Sequence, residues 1–194
     1  MSTKIVIGIV GLPGSGKSTA LSVIRQLAPI VVMGDVVRSE VRKIGSEINP
    51  TTLGKMSKKL REKYGDTVIA KKCVDIINRM NEKVIFLDGI RSMKEVNYFK
   101  LFWNFKLIAI ISPDKIRHER LLYRNRADDS IDKKTIEERD QRELSFGLEE
   151  VITASDMKIY NNEDIKNLEY ELLALTKKYF TGQQIRPRGK NKRD

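Results

Sequence analysis

The segment Gly11-Leu12-Pro13-Gly14-Ser15-Gly16-Lys17-Ser18 follows the β-branched run 5–10 and precedes a helix-like stretch, 19–27. A buried strand that delivers a glycine-rich loop to a helix N-terminus is the setting a phosphate-binding P-loop requires. The glycines let successive backbone N–H groups turn inward around a phosphate, and the helix adds its positive N-terminal end. Gly11, Pro13, Gly14, Ser15, Gly16, Lys17, Ser18 and Thr19 are therefore the expected binding residues for a nucleoside triphosphate. Lys17 would reach the β- and γ-phosphates and take a catalytic role there, and the Ser18 hydroxyl would ligate Mg²⁺.

At 194 residues, the chain is long enough for one well-filled core and short for two. The expectation is one kinase-sized domain over residues 1–181. No apolar run approaches the roughly 20 residues that cross a bilayer, and the first segment does not read as a cleaved signal. A soluble, cytoplasmic protein without a membrane partner is expected. Cys73 is the lone cysteine, which excludes an internal disulfide and a cysteine-based zinc site; among Ile69, Ile76, Ile77 and Met80 it reads as a buried thiol.

The net charge of +11 is partly terminal, because residues 182–194 carry five basic side chains and one acid. That segment has one large aliphatic residue and reads as a disordered basic tail. It could contact nucleic acid, but the charge remaining on the body suits an enzyme that clamps anionic substrates equally well.

Short β-branched runs at 5–10, 30–33, 84–87, 107–111 and 157–160 alternate with helical patterns, which predicts a five-stranded parallel sheet with helices on both faces. Between the second and third runs, Leu53, Met56, Leu60 and Tyr64 recur at helical spacing. Gly65 would stop that helix, and Asp66 would cap another carrying Ile69, Cys73 and Ile77. This is a helical insertion at about residues 36–80. A polar loop follows the helix 114–124, and Thr135 with Glu138 forms a capping box for its successor. Ile165, Leu168, Leu172, Leu175 and Tyr179 give a last helix with one apolar stripe.

Two arginines would emerge from the C-terminal ends of neighbouring strands, in Gly34-Asp35-Val36-Val37-Arg38 and Asp88-Gly89-Ile90-Arg91. In an open α/β sheet that edge is where ligands bind. Asp88, closing a hydrophobic strand beside the P-loop, is placed either to hold a water on Mg²⁺ or to cap a helix.

With these segments the chain resembles the nucleoside monophosphate kinases, adenylate kinase above all, and still better an archaeal family of adenylate-kinase-related ATP-binding proteins. The resemblance covers nearly all of residues 4–175. It implies a three-layer P-loop fold with an acceptor-binding insertion and a short lid at about 124–142, ATP and Mg²⁺ as cofactors, and an acceptor phosphate held by Arg38 and Arg91. The Asp88-Gly89-Ile90-Arg91 match is one residue shorter than the family's. Where those kinases read adenine with a glutamine, this chain has Glu95. An ionised glutamate only accepts hydrogen bonds, so Glu95 is either a partial base reader or an exposed helix residue beside Lys94.

The segment from Asp114 through Arg120 and Arg124 to Arg126 resembles the entry to the adenylate kinase lid, and Asp128-Asp129 followed by Arg139 and Arg142 continues the likeness. It implies Arg120 on the donor nucleotide, with Arg124, Arg126 and Arg139 on the transferring phosphoryl. Each arginine has a plainer reading as a solvated or ion-paired helix residue, and His118 reads as surface.

A monophosphate acceptor, AMP first, is already an anionic nucleophile and needs arginine clamps but no general base. A hydroxyl acceptor, as in the related dephospho-coenzyme A kinases, needs a base such as Asp35. A third possibility is a nucleotide-dependent RNA-binding switch using the basic tail. Arg38 and Arg91 favour the first.

Overall fold

The computed structural model describes residues 4–124, 133–162, 165–177 and 179. Five parallel strands form one sheet in the order β2-β3-β1-β4-β5: β1 (Ile5–Val10), β2 (Ile30–Val32), β3 (Val84–Asp88), β4 (Asn104–Ile111) and β5 (Met157–Tyr160). The expected α/β P-loop architecture is therefore present.

Alternation along each strand divides the core in two. Val6 and Val10 of β1, Ile85 and Leu87 of β3, and Leu107 and Ala109 of β4 face one layer of helices. That layer includes α2 (Met33–Lys43), α3 (Pro50–Tyr64), α4 (Val68–Asn78), α5 (Met93–Lys100) and α8 (Leu148–Thr153). Ile7, Ile9, Phe86, Ile108 and Ile110 face the other, where α1 (Lys17–Ile24) and α9 (Ile165–Lys177) pack through Ala20, Ile24, Leu168 and Leu172. Two further helices, α6 (Asp114–Arg124) and α7 (Lys133–Ser145), lie between β4 and α8 in the chain.

The strands were expected close to where they lie, and the differences have local causes. β4 begins at Asn104 rather than 107 because its first residues pair with Ile5, Val6 and Ile7 of β1 but have no β5 partner, so polar side chains are tolerated there. Asp156 instead accepts the Leu107 N–H at 2.7 Å. β2 ends at Val32 and Met33 already opens α2.

Gly65 ends α3 with φ 88°, as its sequence position requires. Asp66 does not cap α4: the N-cap is Thr67, and the Asp66 carboxylate is drawn to Lys94 at 2.5 Å. Likewise α7 already runs from Lys133, so Thr135 lies inside the helix rather than at its cap. Cys73 is fully buried in the layer formed by α2, α3 and α4. Its thiol pKa is pushed up to about 12 by burial first, then by the negative charges of Glu95 and Asp35. Among the described residues no helix is long and apolar enough to cross a membrane. The basic tail lies outside the described residues.

Candidate active site

The loop between β1 and α1 has the backbone of a phosphate cradle. Gly14 and Gly16 take φ 78° and 108°, in the left-handed region. A Cβ on Gly14 would also come within 2.5 Å of the Arg117 carbonyl oxygen, so neither conformation nor space admits a side chain. Gly16 is the N-cap of α1. Lys17 folds back over the loop and donates from Nζ to the Gly11 carbonyl at 2.6 Å. Burial lowers its pKa, with the Asp88 and Glu143 carboxylates pulling the other way.

The P-loop forms one wall of a cleft of about 860 Å³ at the C-terminal edge of the sheet. Gly11, Pro13, Gly14, Gly16, Lys17, Ser18 and Thr19 line it, together with Asp88, Arg91, Arg120 and Arg139. Thus most of the residues expected to serve a nucleotide meet in one cavity. Ser15 is buried behind it. Asp88 closes β3 in register with Ile9 and Val32. Ser92, not Asp88, caps α5, which removes the capping explanation for that carboxylate. Burial raises the Asp88 pKa, opposed first by Lys17. Among the described residues no group of three or more His, Cys, Asp or Glu is arranged to hold a metal ion. Of the cleft residues, Ser18 could offer a hydroxyl and Asp88 an outer carboxylate to a Mg²⁺ ion carried on bound phosphates.

Acceptor-side candidates are differently placed. Arg91 grips Glu143 of α7 through two bonds, Nε to Oε2 at 2.8 Å and Nη2 to Oε1 at 3.2 Å. Its guanidinium also stands over the Phe146 ring at 5.8 Å. Asp35 and Arg38 are not lining residues of the cleft; they pair with each other at 2.6 Å, their side chains 65% and 40% exposed. Glu95 is neither on the surface nor open to a ligand. It is 1% exposed, and its oxygens accept from Arg61 Nη2 at 3.1 Å and the Arg91 N–H at 2.9 Å. Arg120 donates to the Ser112 hydroxyl at 3.2 Å and the Asn161 carbonyl at 3.1 Å. The Arg124 side chain and all of Arg126 lie outside the described residues.

Sequence reading missed Arg61, Arg117, Asp140, Glu143 and Asn161. Arg117, 1% exposed, donates to the Pro13 carbonyl, to both Asp140 oxygens and to Asp114. His118, expected at the surface, is partly buried with Nε2 3.1 Å from Asp140 Oδ2. One signal for Arg117 was available: it stands four residues before the buried Leu121, on the apolar face of α6, where a charge must find partners.

Comparison with known proteins places this site in a family. An AAA domain model matches residues 7–144. A UPF0200 protein of Methanococcus maripaludis is 46% identical over 159 residues, covering 80% of this chain and 87% of its own. One from Methanocaldococcus jannaschii is 40% identical over 185 residues, covering 90% and 94%. Among solved structures, TT1252 from Thermus thermophilus superposes with a TM-score of 0.62 at 17% identity, over 90% of this chain and 97% of that one. Shikimate kinase from Aquifex aeolicus superposes with 0.55 at 18%, over 91% and 99%. With a P-loop kinase-like fold and relatives matched over most of their length, the chain belongs to the UPF0200 family of AAA-domain proteins.

Proposed function

We propose that this protein transfers the γ-phosphoryl group of ATP, with Mg²⁺, to a nucleoside monophosphate, AMP first among them. The observation that carries the reading is the convergence of Lys17, Arg91, Arg120 and Arg139 on one P-loop cleft from different elements. Phosphoryl transfer asks a protein chiefly for positioning and charge neutralisation, and rigid guanidinium forks suit phosphate oxygens. In this reading Arg91 and Arg38 hold the acceptor phosphate, Arg120 the donor nucleotide, and Arg139 with Arg124 and Arg126 the transferring group. Glu95 acts on the acceptor indirectly, by fixing the Arg91 backbone and Arg61, and Asp35 by orienting Arg38.

Titrating AMP, GMP, CMP and UMP into the wild type by calorimetry, then into Arg38→Ala, tests it. Binding of one monophosphate that weakens in the variant supports the reading; no binding by any of them defeats it. The exposed carboxylate of Asp35 beside the strand ends favours a second reading, a hydroxyl acceptor deprotonated by Asp35. Asp35→Asn would then lower kcat by about 10²-fold with substrate binding kept, whereas a monophosphate kinase would lose little.

A further inference from the structure

Every carbonyl that a P-loop turns away from its ligand still needs a donor, because a buried backbone oxygen without one is costly. Several are satisfied locally. Gly11 O accepts from Lys17 Nζ at 2.6 Å, Leu12 O from the Ser15 N–H at 3.2 Å, and Gly16 O from the Ala20 N–H at 3.0 Å. The Pro13 and Ser15 carbonyls are satisfied from far along the chain. Arg117 Nη1 donates to Pro13 O at 2.7 Å, and Asn161 Nδ2 donates to Ser15 O at 2.8 Å.

These two bonds fix more than two oxygens. Among the described residues no peptide bond is cis, and in a trans peptide plane the C=O and the following N–H point in opposite directions. Holding the Pro13 carbonyl on Arg117 therefore aims the Gly14 N–H the other way, and holding the Ser15 carbonyl on Asn161 does the same for Gly16. Gly14 and Gly16 both line the cleft.

The two residues are themselves held, Arg117 through its side chain and Asn161 through its backbone. Arg117 is gripped by Asp140 at 3.2 and 2.6 Å and by Asp114 at 2.7 Å. Asn161 donates its N–H to Ile111 O at 2.7 Å, and its own carbonyl accepts from the Ser112 hydroxyl at 2.7 Å and from Arg120. Both are buried, Arg117 to 1% and Asn161 to 5% exposure. Each also lies against the glycine it aims: a Cβ on Gly14 would meet the Arg117 backbone, and one on Gly16 would collide with the Asn161 amide.

We infer that Arg117 and Asn161 are positioning residues that aim the Gly14 and Gly16 N–H groups at a bound phosphate, one residue for each amide. The inference rests on phosphate binding at the P-loop, and on nothing about the acceptor. Because Asp140 neighbours Arg139 on α7, the same bonds tie the loop to the helix that carries a cleft arginine.

The test follows backbone amide resonances of the whole chain during titration with ADP, alongside calorimetric affinity and thermal unfolding. In the wild type, ADP should shift both the Gly14 and Gly16 amides. Arg117→Met with Asp140→Leu exchanges a buried ion pair for apolar groups, a swap that commonly leaves stability intact. It should abolish the Gly14 shift, keep the Gly16 shift, and weaken ADP about tenfold. Arg117→Lys, which keeps the charge beside Asp140, should give the same selective loss if the double variant does not fold. Asn161→Leu should do the reverse, losing the Gly16 shift alone. Wild-type shifts and affinity in stable variants, or loss of both shifts in each, would overturn the inference. Absence of any ADP response in the wild type would remove the phosphate site itself, and the inference with it.

Discussion

The two sides of the cleft are built in opposite ways. On the P-loop side, backbone carbonyls are bonded to buried partners and the glycines leave no room for a Cβ, so the cradle exists before any ligand arrives. On the side proposed for the acceptor, Arg91 in the cleft is engaged with Glu143 across to α7, and Arg38, outside the cleft, pairs with Asp35 at the surface. A phosphate bound there would exchange an existing ion pair for a new one. A preformed site spends little ligand binding energy on ordering, whereas an exchanging one couples occupancy to the movement of whatever its arginines were holding.

That contrast can be broken or sharpened experimentally. The largest effect belongs to Lys17→Ala, which should lower ADP formation from ATP by at least about 10²-fold while the unfolding temperature holds, since the ammonium is buried at a cost. An unchanged rate would remove the P-loop from the chemistry. Next, Glu95→Ala should cost about 3 kcal/mol of stability in a denaturant titration, because it removes the buried carboxylate that accepts from Arg61 Nη2 and the Arg91 N–H. A loss near zero would mean the acceptor side has no rigid floor. Arg91→Ala should weaken the acceptor by about 2 kcal/mol, roughly 30-fold, with ATP affinity barely moved. Equal losses for both ligands would mean the two sides are not separable.

The smallest effect is a pH trend at Lys17. Its pKa is lowered by burial, so the folded chain releases this proton before the unfolded chain does. As pH rises between that lowered value and the ordinary lysine range, this group's contribution to unliganded stability grows. ATP affinity should fall over the same window, by about tenfold or less, because the ammonium that meets phosphate is lost. Calorimetry and thermal unfolding across that range check the opposite signs, and Lys17→Met should flatten both.

Legibility in the sequence followed the distance between partners. The P-loop is eight consecutive residues between a strand and a helix, and the order of types alone pointed to Gly11, Pro13, Gly14, Gly16, Lys17, Ser18, Thr19 and Asp88, which line one cleft. The apolar runs likewise gave the sheet, because both faces are covered and the strands read as continuous β-branched segments. What stayed hidden was pairing between residues far apart. Nothing local says that Arg117 reaches back to Pro13, that Asn161 reaches Ser15, or that Glu143 meets Arg91. Asp66 illustrates the same limit, since a good capping residue two positions before a helix went to Lys94 of α5 instead. Glu95 was read as a partial base reader or as an exposed helix residue, and its burial depended on Arg61 of α3, a neighbour no periodicity reveals.

The lone thiol offers a clock for the layer of α2, α3 and α4, the half proposed for the acceptor. Cys73 is sealed in the layer of α2, α3 and α4, and with its pKa near 12 almost none of it is thiolate at neutral pH. An alkylating reagent can therefore react only during moments when that layer parts, so the labelling rate counts openings without any engineered dye. If nucleotides closing the P-loop side leave that rate unchanged while an acceptor slows it, the two halves breathe independently, and the chain carries its own record of which one a ligand has quieted.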